Sequence, residues 1–489
     1  MTMYNSLCKK IMIFIVIVIS FKPSMQAQII PAERLQEDVH FFFQKIEEIH
    51  PNPYFKYSKN VIDSIESEII KSLFPMDKLS FNKWILPRIN WLFDGHTGVK
   101  NDKIIDEEYH KKRREGFTLN IHDAYNNIVL LNSKNNCFKS GIEGVFQLKS
   151  IKNIKIEDII DLAKKSVPAD LSEPDTTYIY WNVDYFISMF VNFTNSVEVE
   201  IEKDEIILKD TLLFPKLKSS EENSVVKKRN DYFNEVMKKN DFQIYEKEKI
   251  ALLNLRNFID IDFREYANFI DSFFLQLQEL DIEYLLINLT ANTGGSSELG
   301  TMLLDYICPL PTEVSTGASY LKRSDEIISA YYNYYKKRDN ITDSLMLDSL
   351  WKEIENTSFD QWIEYSYKIT PKKNVFKKKI FVLQSFQTYS APISFCAIIK
   401  NSKLATIIGE ETKGLTECYI NVAMLSLPNS GLEFWVSSKI DKEPGSQPGR
   451  GVIPDYYYNF QKLMNVNNYE DYYYLPLRTL EDILSVVKK

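Results

Sequence analysis

Cysteine and histidine are scarce in this chain of 489 residues, which contains five of each. No CxxC pair and no HExxH motif occurs, and the cysteines match no other spacing of metal ligands. Four cysteines lie beyond residue 27, and the sequence does not determine which of them would pair in a disulfide. They are Cys137, Cys308, Cys396 and Cys418. We therefore expect no metal centre and no cofactor.

Glycine and proline are also few, at 15 and 18 residues, which argues against a long disordered or low-complexity region. The apolar content of 44% and charged content of 26% are those of a globular protein. A chain of this length exceeds one ordinary hydrophobic core, so two or three domains are expected.

Hydrophobic runs long enough to span a membrane are absent. The run Ile11–Ile19 is far shorter than the roughly 20 residues that a spanning helix needs. It follows Lys9 and Lys10 and precedes Ala27, a pattern that predicts a cleaved secretory signal over residues 1–27. The alternative is an uncleaved anchor. We expect an exported bacterial protein, periplasmic or on the outer surface, that is not integral to the membrane after cleavage.

Clusters of positive charge on an aromatic platform are missing as well. The formal charge of −8 becomes about −11 once the three lysines of residues 1–27 are removed. An acidic exported chain is a poor candidate for binding nucleic acid. Neither a GxGxxG nor a GKS/GKT motif occurs, so a nucleotide site is not expected either.

Periodicity predicts a multidomain α/β protein, α+β overall. The segments are a signal peptide (1–27), a helical N-terminal domain carrying the DGHTG turn (28–112), a β-rich domain (113–215), a charged linker (216–248) and an α/β domain (249–489) with a helical insertion at about 318–372. In the β-rich domain, the stretch GVFQLKSIKNIKIEDII resembles part of a PDZ-like module, and 197–208 alternates like one strand.

The stretch Phe381–Gly414 has the pattern of a strand, a turn and a helix. Lys379–Gln384 predicts a buried strand, and Ala391 with Pro392 begins a helical pattern. Ser390 lies between them, where backbone N–H groups and the helix dipole favour negative charge. A nucleophilic hydroxyl suits this position, and so does an ordinary N-cap serine.

A serine nucleophile needs a base and an oxyanion hole. Of the histidines, His96 is the one on a glycine-framed turn, and the alternative is a structural histidine at a helix end. Gly294 and Gly295 follow a second buried strand, where oxyanion donors are placed, and the N–H of Ala391 would supply another bond. We therefore expect Ser390 and His96 to meet across a domain boundary.

Five motifs in order resemble the C-terminal-processing peptidase family, which includes the tail-specific serine peptidases and the tricorn core peptidases. They are DGHTG (94–98), LLINLTANTGG (285–295), QTYSAPISF (387–395), IIGEETKG (407–414) and GVIPD (451–455). The resemblance implies a crotonase- or ClpP-like catalytic domain after helical and PDZ-like parts. It implies Ser390 as nucleophile, Gly294 or Gly295 as oxyanion glycine, and His96 as the base of the tricorn-like branch.

The chain departs from the family at several polar positions. Leu415 stands where the tail-specific branch has its lysine base, and Gly95 where the tricorn-like branch has a serine. The glutamate that this branch carries before GVxPD is replaced within 447–450, and Glu443 is the nearby candidate for orienting His96. The family aspartate and arginine of the first strand motif are Asn288 and Thr290.

The expected function is that of an exported serine endopeptidase that cleaves protein tails or oligopeptides by acyl transfer, with a peptide or protein as its partner. One alternative is a catalytically inactive relative that binds peptides or protein tails in the same cleft. Another is an esterase-like acyl hydrolase. Lys413, two residues before Leu415, is the alternative base.

Overall fold

The computed structural model describes residues 28–115, 117, 119–125, 127–170, 179–180, 182–214, 240–259, 262–338, 343–356, 358–459 and 482. The predicted signal peptide and most of the predicted linker lie outside these residues. The described part contains three β-sheets with helices around them, which confirms the predicted α/β class.

The helices are α1 (Ala32–Ile49), α2 (Lys59–Ser72), α3 (Lys78–Ile89), α4 (Lys103–Arg114), α5 (Ile156–Ser166), α6 (Val183–Phe190), α7 (Phe263–Glu279), α8 (Ser297–Ile307), α9 (Asp325–Arg338), α10 (Ser344–Glu355) and α11 (Ala391–Ser402). The strands are β1 (Gly98–Val99), β2 (Ile121–Tyr125), β3 (Ile128–Asn132), β4 (Cys137–Phe138), β5 (Val145–Ile151), β6 (Ile154–Lys155), β7 (Ser196–Lys203), β8 (Ile206–Leu213), β9 (Asp241–Tyr245), β10 (Ile250–Asn254), β11 (Tyr284–Asn288), β12 (Thr312–Leu321), β13 (Trp362–Ile369), β14 (Lys379–Gln384), β15 (Thr406–Gly409), β16 (Glu417–Ser426), β17 (Glu433–Lys442) and β18 (Tyr456–Tyr457).

The N-terminal helices follow their apolar periodicity. Helix α1 buries one stripe of apolar side chains and ends just before Pro51, because the residue preceding a proline is biased away from helical backbone. Helix α3 begins three residues before Phe81, its first buried apolar side chain. The carboxylate of Asp77 accepts a hydrogen bond of 2.7 Å from the N–H of Ser80 and so caps the helix at Lys78.

A seven-stranded antiparallel sheet of order β2-β3-β5-β7-β8-β4, with β6 paired to β5, makes residues 121–213 rich in strands, as predicted. The single strand predicted over 197–208 is a hairpin of β7 and β8. Asp204 and Glu205 turn the chain with φ of 51° and 64°, a left-handed pair typical of a two-residue hairpin turn. The turn was not predicted because charged residues also flank it in the sequence, so it does not stand out from the alternating pattern. The likeness to a PDZ module stays a prediction.

The predicted boundary at residue 112 is not a break in packing. One buried cluster contains apolar side chains of α1 and α3, of β3, β5 and β7, and of β17. The helical N-terminal part and the seven-stranded sheet therefore share a core with each other and with a strand of the C-terminal half.

The six-stranded sheet has the order β18-β15-β14-β11-β10-β9. Its strands are parallel except β9, which pairs antiparallel with β10. Buried side chains on one face pack against α7, α8 and α11, and a smaller cluster covers the other. The region predicted as a linker to residue 248 thus includes an edge strand, Asp241–Tyr245. Its five residues are only half-buried, so they lack a strong apolar pattern.

The third sheet has the order β1-β17-β12-β13, with β16 paired to β17. The insertion predicted as helical at about 318–372 contains α9 and α10, but strands β12 and β13 flank them and pair with each other. Strand β13 is mostly exposed, which explains why no alternation signals it. Strand β1 pairs with β17, so the end of the DGHTG turn is joined directly to the C-terminal half.

Among the described residues, every helix is too short or too polar to cross a membrane.

Candidate active site

Ser390 lies at the junction of strand and helix that its sequence predicts. It is the N-cap residue of α11, with φ of 65° and ψ of −127°. Positive φ is uncommon for a residue other than glycine, and strain of this kind concentrates at functional turns. The Ser390 hydroxyl makes no capping hydrogen bond. The N-cap interpretation is therefore correct for the position but not for the side chain.

The turn before Ser390 is pinned to the end of β11. The hydroxyl of Ser385 donates to the carbonyl of Thr290 at 2.6 Å, and that of Thr388 donates to the carbonyl of Leu289 at 3.0 Å. All four groups are buried, so these hydrogen bonds are shielded from water. The turn cannot relax easily, and the strained backbone at Ser390 is maintained.

Gly294 and Gly295 have φ of 120° and 128°, a region that only glycine occupies readily. A Cβ on Gly295 would lie 2.0 Å from the carbonyl of Phe258, and one on Gly294 would lie 2.8 Å from the Cβ of Ser390. The N–H of Gly294 donates to Oδ1 of Asn292 at 3.0 Å. Gly295 lines the same pocket as Ser390. The structure thus distinguishes the two glycines, which the sequence could not: the N–H of Gly294 is hydrogen-bonded to Asn292, whereas Gly295 lines the pocket.

The turn that carries His96 is built around Asp94, which is fully buried. Its carboxylate accepts hydrogen bonds from Nε2 of His50 at 2.9 Å, from the N–H of His96 at 2.8 Å and from Oγ of Ser437 at 2.9 Å. Burial pushes the pKa of Asp94 upward, but the bond and charge of His50 and the bond from Thr97 outweigh it, and the pKa lies below its ordinary value. Asp94 is therefore a buried, ionised anchor for the turn.

The imidazole of His96 stacks on Tyr389, with ring centroids 5.6 Å apart and planes inclined by 24°. Its Nδ1 is buried without a hydrogen-bond partner and lies 4.0 Å from Oδ1 of Asp94, which is too long for a hydrogen bond. A purely structural histidine would be expected to satisfy a buried ring nitrogen. The geometry therefore disfavours the structural interpretation of His96.

Asp170 is a member of this cluster that sequence reasoning missed. Its Oδ1 accepts the N–H of Gly95 at 2.8 Å, and its Oδ2 accepts the hydroxyl of Tyr389 at 3.4 Å. The pKa of Asp170 is raised, first by burial and then by the charge of Asp94. The hydrogen bond from Gly95 and the charges of His96 and Lys56 act in the opposite direction but do not cancel this rise. Its partners lie 75 and 219 positions away, so no local pattern in the sequence could have revealed it.

Lys56 joins the two segments that carry these carboxylates. Its ammonium donates to the carbonyls of Phe93 and Ala169, each one residue before an aspartate of the cluster. Burial lowers the pKa of Lys56 to about 8, although Asp170 and Asp94 raise it. The cation therefore holds Asp94 and Asp170 in register and partly offsets their charge.

Asp94, His96 and Asp170 each offer a ligand atom within 4.8 Å of the others, a grouping of the kind that can hold a metal ion. The carboxylate of Asp94 already accepts hydrogen bonds from His50, His96 and Ser437. We therefore describe the three residues as a hydrogen-bonded charge cluster.

One pocket gathers most of the residues predicted from the sequence. His96, Ser390, Gly295, Ala391 and Glu443 all line it, whereas Gly294 is not among its lining residues. The pocket is formed between the DGHTG turn, the N-terminus of α11 and strands β16 and β17. The fold therefore brings these residues into one pocket, although they come from segments almost 350 positions apart.

Glu443 lies in this pocket but is not hydrogen-bonded to His96. Its Oε1 accepts the hydroxyl of Ser394, one turn along α11 from Ser390, and its Oε2 is buried without a partner. Burial raises the pKa of Glu443 to about 7, against the hydrogen bond from Ser394 that lowers it. A role for Glu443 in orienting His96 stays a prediction.

Leu415, at the position of the family lysine, is buried and lines the pocket. Lys413 is not among the lining residues, and its main-chain N–H donates to the carbonyl of Phe386 at 3.2 Å. The segment GVIPD is fixed beside this loop, because the N–H of Val452 donates to Oγ1 of Thr412 at 2.9 Å. The described geometry thus favours His96 over Lys413 as the base.

Comparison with known proteins identifies a family and several solved structures to which this chain is similar. Residues 249–458 match the model of peptidase family S41. A mutant of CPAF is similar in structure with a TM-score of 0.52 and 14% identity, over 87% of this chain and 93% of that chain. Mature CPAF complexed with lactacystin gives a TM-score of 0.50 at 14% identity, over 87% and 93%. The photosystem II D1 C-terminal processing protease gives a TM-score of 0.39 at 12% identity, over 90% and 96%. The likeness to CPAF concerns the fold and covers most of the chain.

Proposed function

Since this chain belongs to peptidase family S41 and is a serine peptidase, we propose that Ser390 is its nucleophile and His96 its general base. The observation that carries the proposal is the strained N-cap position of Ser390, whose uncapped hydroxyl lies in the same pocket as His96. Strain at a nucleophile-bearing turn holds the hydroxyl where a substrate carbonyl can reach it.

In the proposed reaction, Oγ of Ser390 bonds to the carbon of the scissile carbonyl, and its proton passes to Nε2 of His96. The carbonyl electron pair moves onto oxygen. Collapse of this intermediate breaks the C–N bond, and the leaving amine takes the proton from His96. Water then hydrolyses the acyl ester by the same route, with His96 again accepting and returning a proton.

We propose that the oxyanion is bound by the N–H groups of Gly295 and Ala391. Support comes from their presence in the pocket, and from the helix N-terminus to which Ala391 belongs. The N–H of Gly294 is engaged by Asn292, so this glycine serves instead to leave room for Ser390. Gly295 is therefore the preferred member of the predicted pair.

The proposed substrates are protein tails and oligopeptides, in keeping with the order of the family motifs along the chain. The test uses a stable folded protein carrying an unstructured extension at its C-terminus, and a matched protein with the same extension at its N-terminus. Mass spectrometry is expected to find that the C-terminal extension is cleaved at least about tenfold faster than the N-terminal one. A tenfold preference requires only about 1.4 kcal/mol of more favourable binding. Equal rates for the two proteins would contradict tail specificity while leaving the peptidase activity intact.

We further propose that the protein is exported and that residues 1–27 are removed in the process. The charged start and the short apolar run support this proposal. Mass spectrometry of the exported form is expected to find Gln28 at or next to the N-terminus. An intact Met1–Ala27 segment in a cytoplasmic pool would overturn it.

A further inference from the structure

Asp170 connects three parts of the site that come from different regions of the chain. It follows α5, which packs beside the seven-stranded sheet. One oxygen of its carboxylate binds the turn of His96 through the N–H of Gly95, and the other binds Tyr389, the residue before the nucleophile. A single carboxylate therefore bridges the base and the nucleophile segments.

The position of Asp170 is held by contacts on both sides of it. The side chain of Asn90 donates to the carbonyl of Ser166 at 2.9 Å, and the ammonium of Lys56 donates to the carbonyl of Ala169. These bonds fasten the segment after α5 along the end of α3 and the DGHTG turn. A carboxylate anchored in this way is preorganised, so it needs little rearrangement when charge develops nearby.

Asp94, the other carboxylate near His96, is less able to respond to a charge on the ring. Its oxygens already accept hydrogen bonds from His50, from Ser437 and from the main chain of His96. The ring nitrogen Nδ1 lies beyond hydrogen-bonding distance of it and has no partner. A carboxylate oxygen of Asp170 lies within 4.8 Å of a ring nitrogen of His96, and the hydrogen bond that Asp170 accepts from the hydroxyl of Tyr389 is long, at 3.4 Å.

We infer that Asp170 is the positioning residue for His96: it holds the Tyr389–His96 stack in place and stabilises the imidazolium formed when His96 takes the proton of Ser390. The inference rests on the proposed function, since it assigns a partner to the proposed base. It also means that the catalytic pair is completed by a residue from the seven-stranded sheet region, outside the segment 249–458 that matches the peptidase family.

Several ionisable groups surround this pair and set its electrostatic field. Lys56 approaches from the loop after α1, Asp94 from the turn of His96, and Tyr389 from the segment before α11. Cys418 approaches from β16, Asp441 from β17, and Glu443 from the residue directly after β17. Lys56 is the cation that neighbours Asp170 and Asp94. Removing the charge of Asp170 therefore leaves His96 with one fewer of the anions that favour its protonated form.

The test is the pH dependence of kcat/KM in the Asp170→Asn variant. An opposite charge within about 4–6 Å changes a titration by about one pH unit or more. The acidic limb of the profile is thus expected to move to lower pH by about one unit, because the neutral amide no longer stabilises protonated His96, while kcat falls about tenfold with little change in KM. Asp170→Glu, which keeps the charge, is expected to retain the limb of the unmodified enzyme. A fall in kcat with an unmoved acidic limb in Asp170→Asn would show a merely structural role and overturn the inference.

Two controls make the result specific. Asp210→Asn alters another aspartate of the same sheet region, which accepts hydrogen bonds from Ser140, and is expected to leave the profile unchanged. Asp170→Ser provides a second neutral variant should Asp170→Asn fail to unfold cooperatively.

An NMR titration of the His96 ring does not depend on turnover. Its signal can be assigned by its loss in His96→Ala, and it is measured in a Ser390→Ala background. The midpoint is expected to move to lower pH when Asp170→Asn is added. An unmoved midpoint refutes the role of Asp170 whether or not Ser390 is the nucleophile, whereas residual turnover in Ser390→Ala refutes the proposed nucleophile alone.

Discussion

Replacement of Ser390 by alanine is expected to lower the turnover of a peptide substrate by about 10⁴-fold or more, because the proposed acyl-enzyme forms on the Ser390 hydroxyl. The same change is expected to abolish covalent labelling by a serine-directed phosphonylating probe. The fold should survive, since the Ser390 hydroxyl makes no capping hydrogen bond that alanine would lose. Intact-mass measurement of the probe adduct and a peptide-cleavage assay provide the two readouts.

Ser394→Ala is the matched control for that experiment. Ser394 lies one turn further along the same helix and donates its hydroxyl to Glu443. Labelling is expected to persist in this variant and to map to Ser390. Labelling that survives Ser390→Ala and disappears in Ser394→Ala would transfer the nucleophile to Ser394 and refute the assignment. Binding of peptide without turnover by the unmodified protein would instead favour an inactive relative.

Replacement of His96 by alanine is expected to lower turnover about a hundredfold or more, the usual contribution of a positioned general base. The imidazole makes no hydrogen bond through Nδ1 and packs on one face against Tyr389. Its removal should therefore affect catalysis far more than the free energy of unfolding. Steady-state kinetics together with thermal unfolding separate these two effects.

Lys413→Ala is the comparison that decides between a histidine and a lysine base. Lys413 is absent from the lining of the pocket, and a lysine base would need a dry site that strongly lowers its pKa. Turnover of this variant is expected to stay within about a few-fold of the unmodified enzyme, since charge changes outside the site have small effects. An essential Lys413 with a dispensable His96 would replace the proposed mechanism by a Ser–Lys one.

Local patterns in the sequence were sufficient to predict the elements that carry the proposed nucleophile and the two glycines. The apolar run of β14, the turn and the helix beginning at Ala391 are contiguous, so their periodicity places Ser390 at a helix N-terminus. The glycines at 294 and 295 have a local cause too, since their backbone needs positive φ. His96 was identifiable because glycines frame it on a turn.

Elements with weak patterns were misjudged for equally physical reasons. The hairpin of β7 and β8 was predicted as one strand, since alternation continues through a turn made of Asp204 and Glu205. Strand β9 lay in a region predicted as a linker, because an edge strand that is half-buried has little apolar signal. Strand β13, a mostly exposed edge strand beside the helical insertion, escaped for the same reason.

The amino-acid sequence alone thus determined where the candidate groups lie: a serine at a helix start, a histidine on a glycine turn and a glycine pair after a buried strand. Only the tertiary structure decided which of them meet and what holds them. The pairing of β1 with β17 fastens the histidine turn to the C-terminal half, and Asp170 reaches Gly95 and Tyr389 across 75 and 219 positions. Periodicity reports the burial of one element at a time, whereas these contacts join elements whose separation along the chain carries no local signal.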